Sequence, residues 1–218
     1  MGHQVEKCIE SLYKDDEELE KLIDSRRHTP SEEETKKFNK NYCISLWLSY
    51  NPSPVHKDYA EEVPLFYIGD SDISDEGYNG IRTGIPYLAY LHSDEFVIRY
   101  TNNMPTDKEK QKELTTEIHL PGQRWNNIVF NYHNSRVDLF INGSLERTML
   151  FKTENMDPDD SFLPSYQATD SIHLGSPQNN VHSAICNLVV FSEPLTESEI
   201  TQQYNLLKMQ NPPVNNLL

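Results

Sequence analysis

Between Asn41 and Phe191 apolar residues recur at every second position, in short runs punctuated by Gly, Pro, Asn and Asp. That spacing is the period of a β-strand and cannot be read as a set of helices. "NYCISLWLSY" shows it best. Tyr42, Ile44, Leu46, Leu48 and Tyr50 share one face; Cys43, Ser45, Trp47 and Ser49 share the other. A strand with its second face partly covered has this composition. "NPSP" ends it, because two prolines cannot join a central ladder. Further strands are expected at "VPLFYIGD" and "LTTEIHL", the latter stopped by Pro121-Gly122. "IPYLAYLH" and "EFVIRYT" read as a hairpin around Ser93-Asp94.

The most organised stretch is "QRWNNIVFNYHNSRVDLFINGSL". Trp125 is expected to anchor the start of a core strand that carries Ile128, Phe130 and Tyr132 on one side. "HNSR" turns the chain, and Val137, Leu139 and Ile141 alternate again. Asn142-Gly143 then fits a two-residue type I′ hairpin, since both residues tolerate positive φ. "SLERTMLF" returns as the next strand, and "KTENMDPDDSFLPS" reads as a long exposed loop. "DSIHLGS" and "SAICNLVVFSEPL" are the last two strands. "LTESEITQQYNLLK" is a helix, with Thr196 as N-cap, Glu199 at the capping-box position, and Ile200, Tyr204 and Leu207 as its apolar stripe. Short strands joined by turns, without alternating helices, indicate a mainly β fold: an antiparallel β-sandwich of the jelly-roll kind.

The ends differ from the middle. Val5, Cys8, Ile9, Leu12, Leu19, Leu22 and Ile23 recur at helical spacing. The expected division is a helical appendage over 1–40, a sandwich over 41–210, and a Pro-containing tail over 211–218. With 218 residues, the chain suits one all-β domain plus an appendage. Its formal charge of −15 and the lack of any basic run argue against nucleic acid as a partner. No apolar run approaches membrane-spanning length, and the N-terminus is polar where a leader would be apolar. Cys8, Cys43 and Cys186 give no disulfide framework. Buried free thiols are expected, with a Cys43–Cys186 bridge as the alternative in a secreted protein. The sequon Asn142-Gly143-Ser144 is read as incidental.

Chemistry-bearing patterns are few. A retaining glycosidase needs two facing carboxylates, usually supplied by one acidic strand, and no such strand is present. Asp70, Asp72, Asp75 and Glu76 offer hard oxygens for calcium in one loop, as do Asp157, Asp159 and Asp160. The spacing is not that of an EF-hand, and a plain acidic turn competes with the calcium reading. His119 and His173 fall in strand-like sequence without a metal-ligand array around them. Tyr78, Asn79, Tyr87, Tyr90, Asn102 and Asn103 have the aromatic and amide chemistry of a sugar platform, though Tyr is also common in strands and Asn in turns. No catalytic residue, cofactor or metal ligand is assigned.

Three of these segments together resemble the laminin-G-like, concanavalin A-like jelly-roll superfamily. They are "NYCISLWLSY", the Trp125-to-Asn142-Gly143 stretch, and "AICNLVVFSEPLTESEITQQYN". "ICNLVVFSEPLTESEITQQYNLLKMQNPPV", with "SLWLSYNPSP", is similar to laminin-G-like proteins of giant nucleocytoplasmic DNA viruses. Those share the Lys-x-x-Asn-Pro-Pro ending found here at Lys208, Asn211, Pro212 and Pro213. Many of them carry an N-terminal membrane span; here an amphipathic segment stands in its place. The resemblance implies a non-enzymatic structural or interaction protein, a minor capsid or virion-associated component, located in the virion. Its partners would be other virion proteins, met through Val5, Cys8, Leu12, Leu19 and Leu22 and through "NPPVNNLL". A carbohydrate-binding, lectin-like module is the alternative. A glycoside hydrolase of the same fold is third, disfavoured by the missing carboxylate pair.

Overall fold

The computed structural model describes residues 41–52, 62–69, 82–102, 112–157, 160–166, 170–175 and 181–213. The N-terminal helical expectation, Asp70, Asp72, Asp75, Glu76, Tyr78, Asn79, Asn103, Asp159 and the end of the chain beyond Pro213 lie outside them.

The strands are β1 (Asn41–Asn51), β2 (Val63–Gly69), β3 (Tyr87–His92), β4 (Glu95–Thr101), β5 (Glu113–His119), β6 (Trp125–His133), β7 (Arg136–Ile141), β8 (Ser144–Leu150), β9 (Ser171–Leu174) and β10 (His182–Phe191). One helix, α1 (Glu197–Leu207), follows. The first sheet runs β10-β1-β6-β7-β8 and the second β5-β4-β3-β2-β9, each five-stranded, with antiparallel pairing between neighbours. This is the β-sandwich expected from the alternation.

The period-two pattern fixes what each face does. Tyr42, Ile44, Leu46, Leu48 and Tyr50 of β1 join Ile128, Phe130 and Tyr132 of β6 in the core between the sheets. Leu88 and Tyr90 of β3 and Phe96, Ile98 and Tyr100 of β4 answer from the second sheet. Aromatic rings interlock there: Phe66 lies 6.5 Å from Phe130, and Tyr42 stacks on Tyr132 at 4.3 Å. Burial pushes the Tyr42 and Tyr132 phenols well above their ordinary range, so they are core groups rather than acids or bases.

The far face of the first sheet is covered too. Ile200 of α1 packs with Cys43, Val129 and Phe140; Leu207 packs with Trp47 and Cys186, flanked by Trp125 and Tyr204. This is why β1 lacks a polar face. The helix begins as its sequence dictates: Thr196 accepts from the Glu199 amide, and the Glu199 side chain accepts from the Thr196 amide. After α1, the Asn211 side chain accepts from Trp125 Nε1 at 2.9 Å, and Pro213 is buried.

Trp125 begins β6, a core strand, as expected; its own side chain sits half-buried on the outer face, with Trp47 and Tyr204. One expectation needs correction. The 152–165 segment is not wholly exposed. Ser161 and Phe162 are buried, and the Phe162 amide returns to the Phe151 carbonyl. The cysteine question is also resolved. Cys43 and Cys186 are free and buried. Cys186 faces Trp47 across the ladder, four positions from Cys43. That is about 13 Å along a strand, too far for a bridge.

Candidate functional site

The outer face of the second sheet carries a row of residues that the core does not need. His173 on β9 pairs with Tyr67 on β2, and Tyr87 on β3 pairs with Arg99 on β4. Arg99 in turn pairs with Thr115 on β5. Alternation puts all five on one face, because their strand neighbours Phe66, Ile68, Leu88 and Ile98 point into the core. The His173 and Tyr67 rings stack at 4.4 Å, 5° from parallel. Tyr67 and Tyr87 approach to 6.3 Å, with Ala89 and Val97 completing the apolar strip.

Charge frames the strip. The Arg99 guanidinium bonds both Glu62 carboxylate oxygens and donates to Glu113 at 2.8 Å. At the other border Arg82 pairs with the buried Asp170 carboxylate. Tyr67 and Tyr87 are 7% and 2% exposed, so the row reaches solvent at its ends, at His173 and Arg99. Three inter-strand steps separate those ends, about 14 Å. His173 Nε2 is buried without a hydrogen-bond partner. Buried ring nitrogens are normally satisfied, so an unpaired one marks this edge of the strip.

The arrangement suits recognition better than turnover. Glu62 and Glu113 flank Arg99, which bridges them. A glycosidase pair must face each other across a gap that admits the scissile bond. Among the described residues no group of three or more His, Cys, Asp or Glu is placed to hold a metal. Asp157 and Asp160 belong to a local turn, closed by the Asp160 amide on the Asp157 carbonyl, and Asp160 is taken by Lys112 at 2.7 Å.

The sugar-platform residues divide. Tyr87 is in the row. Tyr90 lies in the core, and Asn102 is 1% exposed with its side chain accepting from the Lys112 amide, so neither is a ligand contact. Parity contained this signal: Tyr87 and Tyr90 are three apart and must point to opposite faces. His119 is an exposed side chain beside Asp94. Tyr67, Arg99, Glu62, Glu113, Arg82 and Asp170 were not legible as a site. Their contacts join residues distant in sequence, and a charged residue in a strand looks alike wherever it points.

A family model described as the concanavalin A-like lectin/glucanases superfamily matches residues 27–201. No curated protein matches. Among solved structures, the botulinum neurotoxin serotype D binding domain is 15% identical with a TM-score of 0.50, covering 77% of this chain and 37% of that one. The receptor binding domain of the botulinum neurotoxin mosaic serotype C/D, with tetraethylene glycol and sulfate bound, is 14% identical at TM-score 0.51, with coverages of 77% and 37%. The botulinum neurotoxin DC binding domain in complex with SialylT is 13% identical at TM-score 0.51, with coverages of 78% and 36%. At these identities the likeness is one of fold. This chain spans little more than a third of those chains' length. Among the described residues no helix is long and apolar enough to cross a membrane.

Proposed function

This chain belongs to the concanavalin A-like lectin/glucanases superfamily, and on that premise we propose that it is a non-catalytic binding module whose ligand is a carbohydrate. The ligand is met at the two ends of the row, His173 and Arg99, with Tyr67 and Tyr87 buried between them. The observation that carries this reading is the unsatisfied His173 Nε2 at the edge of an aromatic strip. A sugar hydroxyl can donate to or accept from that nitrogen, and an apolar sugar face can lie against the strip's border. Arg99, held by Glu62 and Glu113, places a fixed positive charge at the far end. The separation of the two ends favours an oligosaccharide over a single ring. The SialylT complex of one fold neighbour is in keeping with this ligand class.

Glycan-array binding followed by titration tests the proposal. Arg99→Ala and His173→Phe should each lose the array signal, and His173→Phe should do so with the melting temperature kept, since the stacked ring remains. Full binding by both variants, or no glycan bound by the wild type, would overturn it. The similarity of "ICNLVVFSEPLTESEITQQYNLLKMQNPPV" and "SLWLSYNPSP" to laminin-G-like proteins of giant viruses supports a second, compatible reading, in which this module is carried on a virus particle as a minor component. Mass spectrometry of purified particles tests that reading independently of the glycan.

A further inference from the structure

We propose that His133 is a pH-sensitive latch on the clamp that fastens α1 to the first sheet. The clamp is the Asn131 side chain, 2% exposed on the outer face of β6. Its Oδ1 accepts from the Leu195 amide at 2.9 Å, and its Nδ2 donates to the Leu195 carbonyl at 2.8 Å. Leu195 directly precedes the Thr196 cap, and its side chain packs with Ile200 against Cys43, Val129 and Phe140. One amide therefore sets where α1 begins.

Those two backbone bonds also fix the amide's orientation, because the Leu195 N–H can only donate and its carbonyl can only accept. The remaining N–H of Asn131 Nδ2 is then aimed at His133 Nε2, 3.0 Å away. His133 Nε2 must accept, which places the ring proton on Nδ1 and makes the ring neutral. Protonation turns Nε2 into a donor and sets two N–H groups against each other. Asp138 Oδ2, at 3.8 Å, lies beyond hydrogen-bond distance.

The charged groups facing the ring come from β7: Asp138, which favours the cation, and Arg136, which opposes it and pairs with Asp138 at 3.3 Å. From β8 Thr148 donates to Asp138, and from β1 the group near the clamp is the buried Cys43 thiol. Partial burial holds the imidazole below its ordinary value, against the pull of Asp138. The sign follows. The unfolded chain takes up the proton first, so the stabilisation is complete above the ordinary imidazole value. It is lost as pH falls through that value toward the folded one.

Amide hydrogen exchange at Leu195 and through α1, corrected for intrinsic rate, tests this between about pH 7 and about pH 5. Protection in the wild type should fall several-fold on acidification. His133→Gln can still accept from Asn131 but does not titrate, so its protection should not change. Nitrogen-15 NMR of the wild type at neutral pH should show the Nδ1–H tautomer, a readout that needs no variant. An unchanged pH response in His133→Gln, or a proton on Nε2, would overturn the latch.

Discussion

Replacing Gly143 with valine should destabilise the fold by about 2–4 kcal/mol. Asn142 and Gly143 close the β7–β8 hairpin with φ values of 52° and 79°, the signs a type I′ turn requires. An L-residue pays roughly 1–2 kcal/mol for left-handed backbone, and a β-branched one stands at the upper end. The structure adds a second term that lies outside the turn. A Cβ on residue 143 would meet Tyr204 Cδ1 at 2.8 Å. Tyr204 is stacked on Trp47 at 5.7 Å, so the ring must move and loosen a contact worth about 0.5–1.5 kcal/mol. The Thr201 hydroxyl also donates to the Gly143 carbonyl, which ties the turn to α1 again. Urea unfolding followed by tryptophan fluorescence is the natural assay, because the chain's two tryptophans, Trp47 and Trp125, both lie beside Tyr204. The melting temperature should drop by about 5–15 °C. Gly143→Asn separates the causes, since Asn accepts the backbone angle but keeps the Cβ. Its loss should shrink in a Tyr204→Ala background. A Gly143→Val protein with unchanged stability, or a Gly143→Asn loss indifferent to Tyr204, would refute the reasoning.

Thr196→Ala should cost about 1 kcal/mol by removing the capping box, read as faster amide exchange in the first turn of α1 and a lower urea midpoint. Burial pushes the Cys43 thiol up to about 12 and encloses Cys186. Both should resist a thiol reagent in the native protein and react fully in urea, by peptide mapping; rapid native labelling of either would contradict their placement.

The strands were legible because alternation is local. Each run states its own period, and turns such as Ser93-Asp94 and Asn142-Gly143 state where it stops. Helix α1 was legible for the same reason: its cap, box and stripe all lie within Thr196–Leu207. What covers the outer face of β1 was not legible, since a Trp47–Tyr204 contact joins residues far apart in sequence. Trp125 illustrates the ambiguity. Its strand was identified correctly, but a tryptophan beginning a strand suits the core or a covered outer face equally well, and only the position of α1 decides. The candidate row lay further out of reach. Arg99 reads as one charged residue in an apolar run until the fold brings Glu62 and Glu113 to it.

The C-terminal motif takes on a definite physical meaning in this light. Cys186 packs under Leu207 and contacts the Pro213 carbonyl, and Asn187 adopts a φ of 48° within β10. Leu195 takes both bonds of the Asn131 clamp; Thr196 and Glu199 cap the helix; Asn211 accepts from Trp125. Nearly every residue that makes this segment resemble a protein group is thus occupied in fastening α1 and the chain after it to the first sheet. Such residues report how the sandwich is closed, and they are free to recur in relatives that bind different things. The sequon falls under the same argument. Asn142 accepts from the Asn127 amide and donates to the Asn126 side chain, so a glycan on its nitrogen would compete with the hairpin. Specificity is therefore expected on the opposite sheet, where the row from His173 to Arg99 lies apart from the core and from the helix seam.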